Sequence, residues 1–270
     1  MKILTLNTHS LLEENYEEKL RIFADGISKV LPQVIALQEV NQTSTSPVVS
    51  SHCLGFSSGE VPLKEDNHAI AVTELLSEKG INYNFVWCPI KQGYSKFDEG
   101  LAFLSLEPIQ FLESFVISNT QKYQDWKKRK ALVVKIYGMN FCTAHLGWWQ
   151  DEYEPFAKQF DKLNEHLLPY KDVIILGDFN SPDSAENEGY DYVTSLGWND
   201  FYNMADKKTG HHTVVGPIAG WKQKDNLRID YIFSKEKLNV RECSTMFDGL
   251  NFPVVSDHYA VTANFERGVV

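Results

Sequence analysis

Short apolar runs of strand length recur along the whole chain, and several of them end abruptly in a polar residue. Such a run predicts a buried β-strand, and the polar residue that follows it lies at an edge of the sheet. Positions of this type are Asn7, Glu39, His145, Asp178 with Asn180, and Asp257 with His258 just before the last strand. Each one alone is explained by a turn or a strand cap. Together they predict one polar site at a rim of the fold.

The order of the elements predicts a single α/β domain over residues 1–270. Apolar residues at helical spacing predict helices over 16–31, 68–79 and 154–168. Strands are predicted at 3–6, 34–37, 85–87, 101–106, 111–117, 132–137, 140–146, 173–176, 228–234, 238–243 and 259–265, with long loops at 41–67 and 207–225. The strands between 85 and 146 follow one another without a helix, which implies antiparallel pairing. We expect two mixed or antiparallel sheets face to face, with helices outside.

Charge and cysteine usage exclude some classes of protein. The 26 Lys and Arg residues against 36 Asp and Glu leave a net charge of −10, which excludes a generally basic nucleic-acid coat. The four cysteines form no CxxC, so neither a zinc site nor a redox motif is indicated, and free thiols are expected. Neither a secretory signal nor an apolar membrane-spanning stretch is visible, so we expect a cytoplasmic protein without membrane contacts.

The polar residues at the strand ends have the chemistry of a magnesium site. Glu39 and Asp257, with Asn7, offer the hard oxygen ligands that Mg²⁺ prefers, and Mn²⁺ is an alternative ion. His145 and His258 would serve as hydrogen-bond donors beside it. Asp230 lies inside the apolar run 228–233, where a charge is costly to bury unless it is paired. A glycine-rich phosphate loop is absent from the sequence.

The motifs around these residues resemble those of the endonuclease/exonuclease/phosphatase superfamily. The matching segments, in order, are LTLN at 4–7, LQEV at 37–40, EGLA at 99–102, TAHL at 143–146, GDFN at 177–180, RIDY at 228–231 and SDH at 256–258. The resemblance implies a four-layer α/β sandwich and metal-assisted hydrolysis of a phosphoester.

The resemblance also implies a role for each residue of the site. Glu39 would bind Mg²⁺, with Asn7 and Asp257 in the metal and phosphate shell. Asn180 and His145 would donate hydrogen bonds to phosphoryl oxygens. Asp178 would position or deprotonate the attacking water, and His258, oriented by Asp230, would stabilise charge on the phosphate. Whether Asp178 or His258 is the general base stays open.

The choice of phosphoester depends on the loops around the site. The basic run 127–130 is either a charged loop or a place where Arg129 contacts the substrate phosphate. Trp148 and Trp149 follow His145 and either pack in the core or offer flat faces to a sugar ring, and Trp221 lies in another loop expected at the same rim.

The first ten residues and the HLGWW segment at 145–149 resemble the maltose 6'-phosphate phosphatases of Gram-positive bacteria. That resemblance implies a Mg²⁺-dependent phosphomonoesterase that hydrolyses a small phosphorylated sugar, maltose 6'-phosphate, to maltose and phosphate. Nucleic acid is an unexpected partner because a duplex-binding nuclease needs a cationic face, whereas the net charge here is −10. The alternatives are a nuclease or another phosphodiesterase, including a sphingomyelinase-like enzyme, that uses the same metal site. A binding module without activity is disfavoured because every motif residue of the catalytic set is present.

Overall fold

Two β-sheets lie face to face at the centre of the molecule. The structure, a computed structural model, describes residues 1–49, 55–170, 172–216 and 226–266. Its strands are β1 Lys2–Asn7, β2 Val34–Thr43, β3 Gly55–Ser57, β4 Asn84–Gly93, β5 Phe97–Ser105, β6 Gln110–Val116, β7 Lys130–Ile136, β8 Met139–His145, β9 Ile174–Asp178, β10 Asn199–Asp200, β11 Lys207–Thr209, β12 Asp230–Ser234, β13 Asn239–Met246 and β14 Ala260–Glu266.

The strands divide into sheets of eight and six. The larger sheet has the order β11-β13-β14-β1-β2-β5-β4-β3, and the smaller has the order β10-β12-β9-β8-β7-β6. Parallel pairs such as β1 with β2 and β8 with β9 occur beside antiparallel ones. The predicted antiparallel pairing in the middle of the chain is confirmed by β4 with β5, β6 with β7 and β7 with β8. Both sheets are therefore mixed.

The helices of the described residues are α1 Tyr16–Val30, α2 His68–Glu78, α3 Phe156–His166, α4 Gly189–Ser195 and α5 Phe201–Met204, with a 3₁₀ helix at Ser10–Leu12. Four of them, α1 to α4, cover the outer faces of the sheets, while the short α5 packs against both sheets and places Phe201 in the cluster between them. One apolar cluster fills the space between the sheets, a second lies under α1 and α2, and a third lies under α3 and α4. The predicted four-layer sandwich is confirmed. No helix in the described ranges is long and apolar enough to cross a membrane.

Local sequence explains where the principal helices begin and end. In α1 the buried residues Leu20, Phe23 and Ile27 share one face, and the chain leaves the helix at Leu31, with φ 49°, directly before Pro32. The side chain of Asn67 accepts a hydrogen bond of 2.9 Å from the backbone N–H of Ala69 and so caps the start of α2.

Several sequence-based boundaries need correction. The loop predicted at 41–67 is shorter, because β2 continues to Thr43 and the short strand β3 lies within the predicted range. Helix α3 begins at Phe156 and ends at His166, inside the predicted 154–168. Asp230 is the first residue of β12 rather than a residue within a strand. Helices α4 and α5 are too short to show a clear helical period, so the sequence did not predict them.

A polar contact joins the sheets beneath the ends of β1 and β8. Gln38 on β2 is fully buried, and its side-chain amide donates hydrogen bonds to the hydroxyls of Thr5 on β1, at 3.1 Å, and Thr143 on β8, at 2.9 Å. Thr5 lies in the larger sheet and Thr143 in the smaller. Since the surrounding core is apolar, this contact restricts how far the sheets slide past each other.

Candidate active site

The ends of strands from both sheets meet at an open cleft of about 570 Å³. β1 ends at Asn7 in the larger sheet, while β8 and β9 end at His145 and Asp178 in the smaller. The strand register places His145 and Asp230 on either side of Asp178. The structure therefore brings together groups that are far apart in the sequence.

Glu39 reaches the cleft because β2 is irregular at this point. The pairing with β5 shifts register between Leu37 and Val40, and Glu39 has a φ of 51°, which is unusual for a residue with a side chain. The Asn7 amide nitrogen donates hydrogen bonds of 3.0 Å to both Glu39 Oε1 and Asp178 Oδ2. A single amide thus fixes one carboxylate from each sheet.

His258 is held from behind by a carboxylate. Its Nδ1 lies 2.9 Å from Asp230 Oδ2, and its Nε2 lies 3.8 Å from Asp178 Oδ2. Thr213 fixes the start of β12, because its hydroxyl accepts a hydrogen bond from the backbone N–H of Asp230. Burial alone would lower the pKa of His258, but Asp230 and Asp178 outweigh it and raise the pKa to about 10. The imidazole is therefore cationic at neutral pH.

Asp178 lies at the centre of this network and is 1% exposed. Burial and the neighbouring Asp230 raise its pKa to about 7, against the opposing effects of His258, Asn7 and the backbone N–H of Asn180. That N–H donates to Asp178 Oδ1 at 2.8 Å. The carboxylate is thus fixed in place and has a much higher proton affinity than an exposed aspartate.

His145 is a neutral imidazole. Burial, followed by the charge of Arg129, lowers its pKa well below the ordinary value. The Asn180 side-chain amide donates to the Leu146 carbonyl at 2.9 Å and lies 3.0 Å from His145 Nε2. When Nε2 accepts that hydrogen bond, the proton is on Nδ1, which lies 3.8 Å from Glu39 Oε1. His145 then offers one N–H on the Glu39 side.

The donor set around Glu39 fits a hard divalent cation. Glu39 and Asp257 line the same cleft and supply carboxylate oxygens. Asn7 turns its amide nitrogen to Glu39, while its Oδ1 accepts a hydrogen bond of 3.2 Å from the backbone N–H of His9. Burial, followed by the charge of Glu99, raises the pKa of Glu39, against the opposing effects of Asn7, Lys91 and His9. Asp257 stays partly open, with 37% of its side chain exposed. A cation bound here would relieve the repulsion and retain room for water or phosphate.

Cationic side chains form one wall of the cleft. Arg129 is only 3% exposed, and its Nε has no hydrogen-bond partner among the described residues. Lys91 is 6% exposed and forms a 3.0 Å ion pair with Glu99. A buried guanidinium with a free donor is well suited to an anion.

The structure separates the predicted aromatic residues. Trp148 lines the cleft, whereas Trp149 packs against Phe156 and Tyr192 in the cluster under α3 and α4. The expectation that Trp149 binds substrate is therefore withdrawn, since its ring contributes to the core. Trp221 lies outside the described residues.

Other predicted residues have clear positions. Asn7, Glu39, Arg129, His145, Asp178, Asn180, Asp257 and His258 line the cleft. Asp230 does not line it but lies behind His258.

Sequence reasoning missed several residues of the cleft, notably His9, Lys91, Tyr94 and Trp126. His9 follows the motif that ends β1, and Trp126 adjoins the basic run 127–130. Their proximity to these segments was the only feature of the sequence that could have indicated a place in the cleft. Lys91 lies on β4 next to buried apolar residues. A charged residue within such a run was the one indication that it has a special role.

Comparisons with known proteins identify the family of this chain. The sequence profile described as "Endonuclease/Exonuclease/phosphatase family" matches residues 4–258. A solved structure from Leptotrichia buccalis, described as an endonuclease/exonuclease/phosphatase family protein, is 29% identical over 99% of this chain and 100% of that one, with a TM-score of 0.86. No curated protein sequence matches the chain.

Two further solved structures share the fold. The mannosyl-6-phosphatase Bt3783 of Bacteroides thetaiotaomicron is 14% identical over 99% of this chain and all of that one, with a TM-score of 0.65. TDP2 of D. rerio, complexed with a single-strand DNA product, is 17% identical over 99% of both chains, with a TM-score of 0.62. The chain belongs to the endonuclease/exonuclease/phosphatase family, whose members hydrolyse phosphoester bonds and typically depend on a divalent metal ion.

Proposed function

We propose that this protein is a Mg²⁺-dependent phosphomonoesterase that releases phosphate from a sugar phosphate, with maltose 6'-phosphate as the specific substrate. The observation that carries the proposal is the network at the base of the cleft, where the Asn7 amide joins Glu39 and Asp178 at 3.0 Å each. His145 and His258 lie on either side of Asp178, at 3.5 and 3.8 Å from its Oδ2. Such a base suits a small, highly charged group.

In this proposal Glu39 would bind the cation, with Asp257 and Asn7 beside it in the metal and phosphate shell, and the cation would neutralise charge on the phosphoryl oxygens. Asp178 orients the attacking water and accepts its proton. His258 remains cationic because Asp230 holds its Nδ1 at 2.9 Å, so it donates to a phosphoryl oxygen rather than removing a proton. This division of roles assigns the general base to Asp178.

His145 and Arg129 are proposed to bind the remaining phosphoryl oxygens, with Asn180 holding His145 in place. Both N–H groups of the Asn180 amide are engaged, one by the Leu146 carbonyl and one by His145 Nε2, so Asn180 would act by fixing His145, which turns its Nδ1–H to the substrate. Arg129 lines the same cleft, and its planar guanidinium presents donors that suit phosphate geometry. Fixed donors of this kind stabilise the charge that develops during phosphoryl transfer without having to reorganise.

Charge supports a small substrate over a long polyanion. Besides the site residues, Glu99 lines the cleft, and the whole chain has a net charge of −10. A duplex-binding nuclease needs a cationic face that replaces the counterions of many phosphates. The likeness to a mannosyl-6-phosphatase fits a sugar phosphate, while the likeness to TDP2 keeps a nuclease as the alternative to be tested.

The decisive experiment measures phosphate release from a panel of sugar phosphates, with and without Mg²⁺, beside a plasmid-nicking assay. We expect metal-dependent release from maltose 6'-phosphate and no nicking. A comparison of p-nitrophenyl phosphate with its bis-ester separates a monoesterase from a diesterase. Cleavage of DNA or of the bis-ester, with no release from any sugar phosphate, would overturn the proposal.

A further inference from the structure

We infer that Trp126 and Trp148 together form a binding surface for the leaving group, with Trp148 nearer the base of the cleft and Trp126 nearer its mouth. On this surface Trp126 contacts a second sugar ring, and the Lys127–Asp151 ion pair positions Trp126. The inference rests on the proposed function, because it concerns the alcohol part of the ester hydrolysed at the same cleft. It assigns specificity to a loop outside the motifs that the family shares.

Exposure changes steadily from the base of the cleft to its mouth. Asp178 and Arg129 at the base are 1% and 3% exposed, Trp148 is half-buried, and Trp126 is 52% exposed. All of them line one cleft. A phosphoryl group held at the base therefore places the first part of its leaving group beside Trp148. Only a longer leaving group extends to Trp126.

The two tryptophans form an angled surface. Their ring centroids are 6.1 Å apart and their planes are inclined by 58°. Flat apolar faces of this kind pack against the C–H faces of a sugar ring. The amides of Gln92 and Gln124 line the same cleft and offer donors and acceptors for hydroxyls. This combination of aromatic faces and a few polar groups is typical of a site for a polar ring.

Trp126 is exposed, but its loop is held in place. Lys127 Nζ lies 2.7 Å from Asp151 Oδ2 and 5.4 Å from the centre of the Trp126 ring. Asp151 belongs to the loop that follows Trp148, so the ion pair ties the two aromatic loops together. The Glu154 carboxylate adds a second tie, because it accepts hydrogen bonds from the backbone N–H groups of Asn119, at 2.6 Å, and Thr120, at 2.7 Å.

These contacts hold Trp126 in place before a ligand binds, which favours binding. A tryptophan that is already ordered loses less conformational entropy when a ligand stacks on it. The Lys127–Asp151 pair is only partly exposed, at 25% and 10% of the two side chains, so solvent screens it less than a fully exposed pair. Lys127 and Asp151 are therefore positioning residues, which act through Trp126 rather than on the substrate.

The test compares Trp126→Ala with wild type on two substrates, maltose 6'-phosphate and glucose 6-phosphate. Both leave as a primary alcohol, so they differ in ring number rather than in the chemistry of the broken bond. We expect the KM for maltose 6'-phosphate to rise about tenfold, the scale of one lost aromatic contact, with little change in kcat. The constants for glucose 6-phosphate should stay close to wild type.

Tyr153→Ala is the matched control. Tyr153 is 72% exposed, and its ring also lies 5.4 Å from Lys127 Nζ, but it does not line the cleft. This variant should keep wild-type constants on both substrates. Trp126→Phe should restore most of the affinity lost in Trp126→Ala, and Lys127→Met should raise the KM for maltose 6'-phosphate alone.

The outcomes separate this inference from the function on which it rests. Equal losses on the two substrates in Trp126→Ala, or no loss on either, would overturn the inference and leave the phosphatase intact. If wild-type protein releases phosphate from no sugar phosphate of the panel in the presence of Mg²⁺, the proposed function fails, and the inference fails with it.

Discussion

Replacing Asp178 should lower the catalytic rate while leaving the protein folded. We expect Asp178→Asn to lower kcat by about two orders of magnitude, because the amide does not accept the proton of the attacking water. The protein should stay folded, since removing one of two buried neighbouring carboxylates relieves repulsion with Asp230. Phosphate-release kinetics and a thermal unfolding curve on the same sample check both parts. A near-normal rate would contradict the assignment of the general base.

At the residue scale, the sequence was informative where a polar group interrupts an apolar pattern. Asn7, Glu39 and Asp178 stand out at the ends of apolar runs, and the structure places all three at one cleft. Trp126 and Tyr94 gave no such signal, because they lie in polar loops whose path depends on tertiary contacts. The sequence also did not show that Trp148 lines the cleft while Trp149 packs in the core. Residues in a loop have no repeating pattern that indicates which side chain is buried.

At the scale of elements, the contact between β2 and β8 has a measurable energy. Thr143→Val removes the acceptor of a fully buried hydrogen bond from the Gln38 amide. We expect a loss of about 1–3 kcal/mol in the free energy of unfolding, because the amide N–H is left without a partner. Urea denaturation provides the measurement. The double variant Gln38→Leu/Thr143→Val should lose less than the sum of the single changes, and strict additivity would contradict the contact.

His68, the first residue of α2, should make the free energy of unfolding depend on pH. His68 is 4% exposed beside Tyr16 and Phe23, and burial lowers its pKa to about 3. Below an unfolded pKa of about 6.5 the unfolded chain binds a proton that the folded protein does not, so stability falls as the pH falls through this window. From about pH 6.5 to about pH 5 the loss due to this group is about 1.5 kcal/mol.

His68→Gln should remove that part of the acid dependence, measured as urea unfolding free energies at the two pH values. Tyr16→Phe is the control, because it removes the hydroxyl that lies 3.0 Å from His68 Nδ1 but keeps the imidazole buried. Identical acid dependence in wild type and His68→Gln would show that His68 does not titrate differently on folding.

Elements with a clear apolar pattern were predicted from the sequence, whereas very short or irregular ones were not. Helix α1, with 15 residues, follows its apolar pattern closely, and the five-residue β9 was found because its apolar run is uninterrupted. The irregularity in β2 that turns Glu39 into the cleft depends on the pairing with β5, and no local pattern encodes it. The same holds for β10, which has two residues and exists only through its neighbour β12.

At the scale of the whole molecule, metal binding should stabilise the fold. Mg²⁺ at about a hundred times its Kd is expected to add about 2.7 kcal/mol to the free energy of unfolding, because only the folded protein assembles the site. Glu39→Gln should lose most of this response, measured as the shift in Tm on adding Mg²⁺. Glu78→Gln makes the same charge change on the exposed face of α2 and should respond like wild type. Equal responses in both variants would argue against a site at Glu39.

The Asn7 amide donates hydrogen bonds to one carboxylate from each sheet, so the geometry of the site depends on how the two sheets are aligned. A small slip between the sheets would leave each sheet's own ladder of hydrogen bonds intact while pulling Glu39 away from Asp178. Catalysis should then fail under mild heat or pressure before the secondary structure melts. Neither sheet, isolated from the other, would retain a trace of the activity.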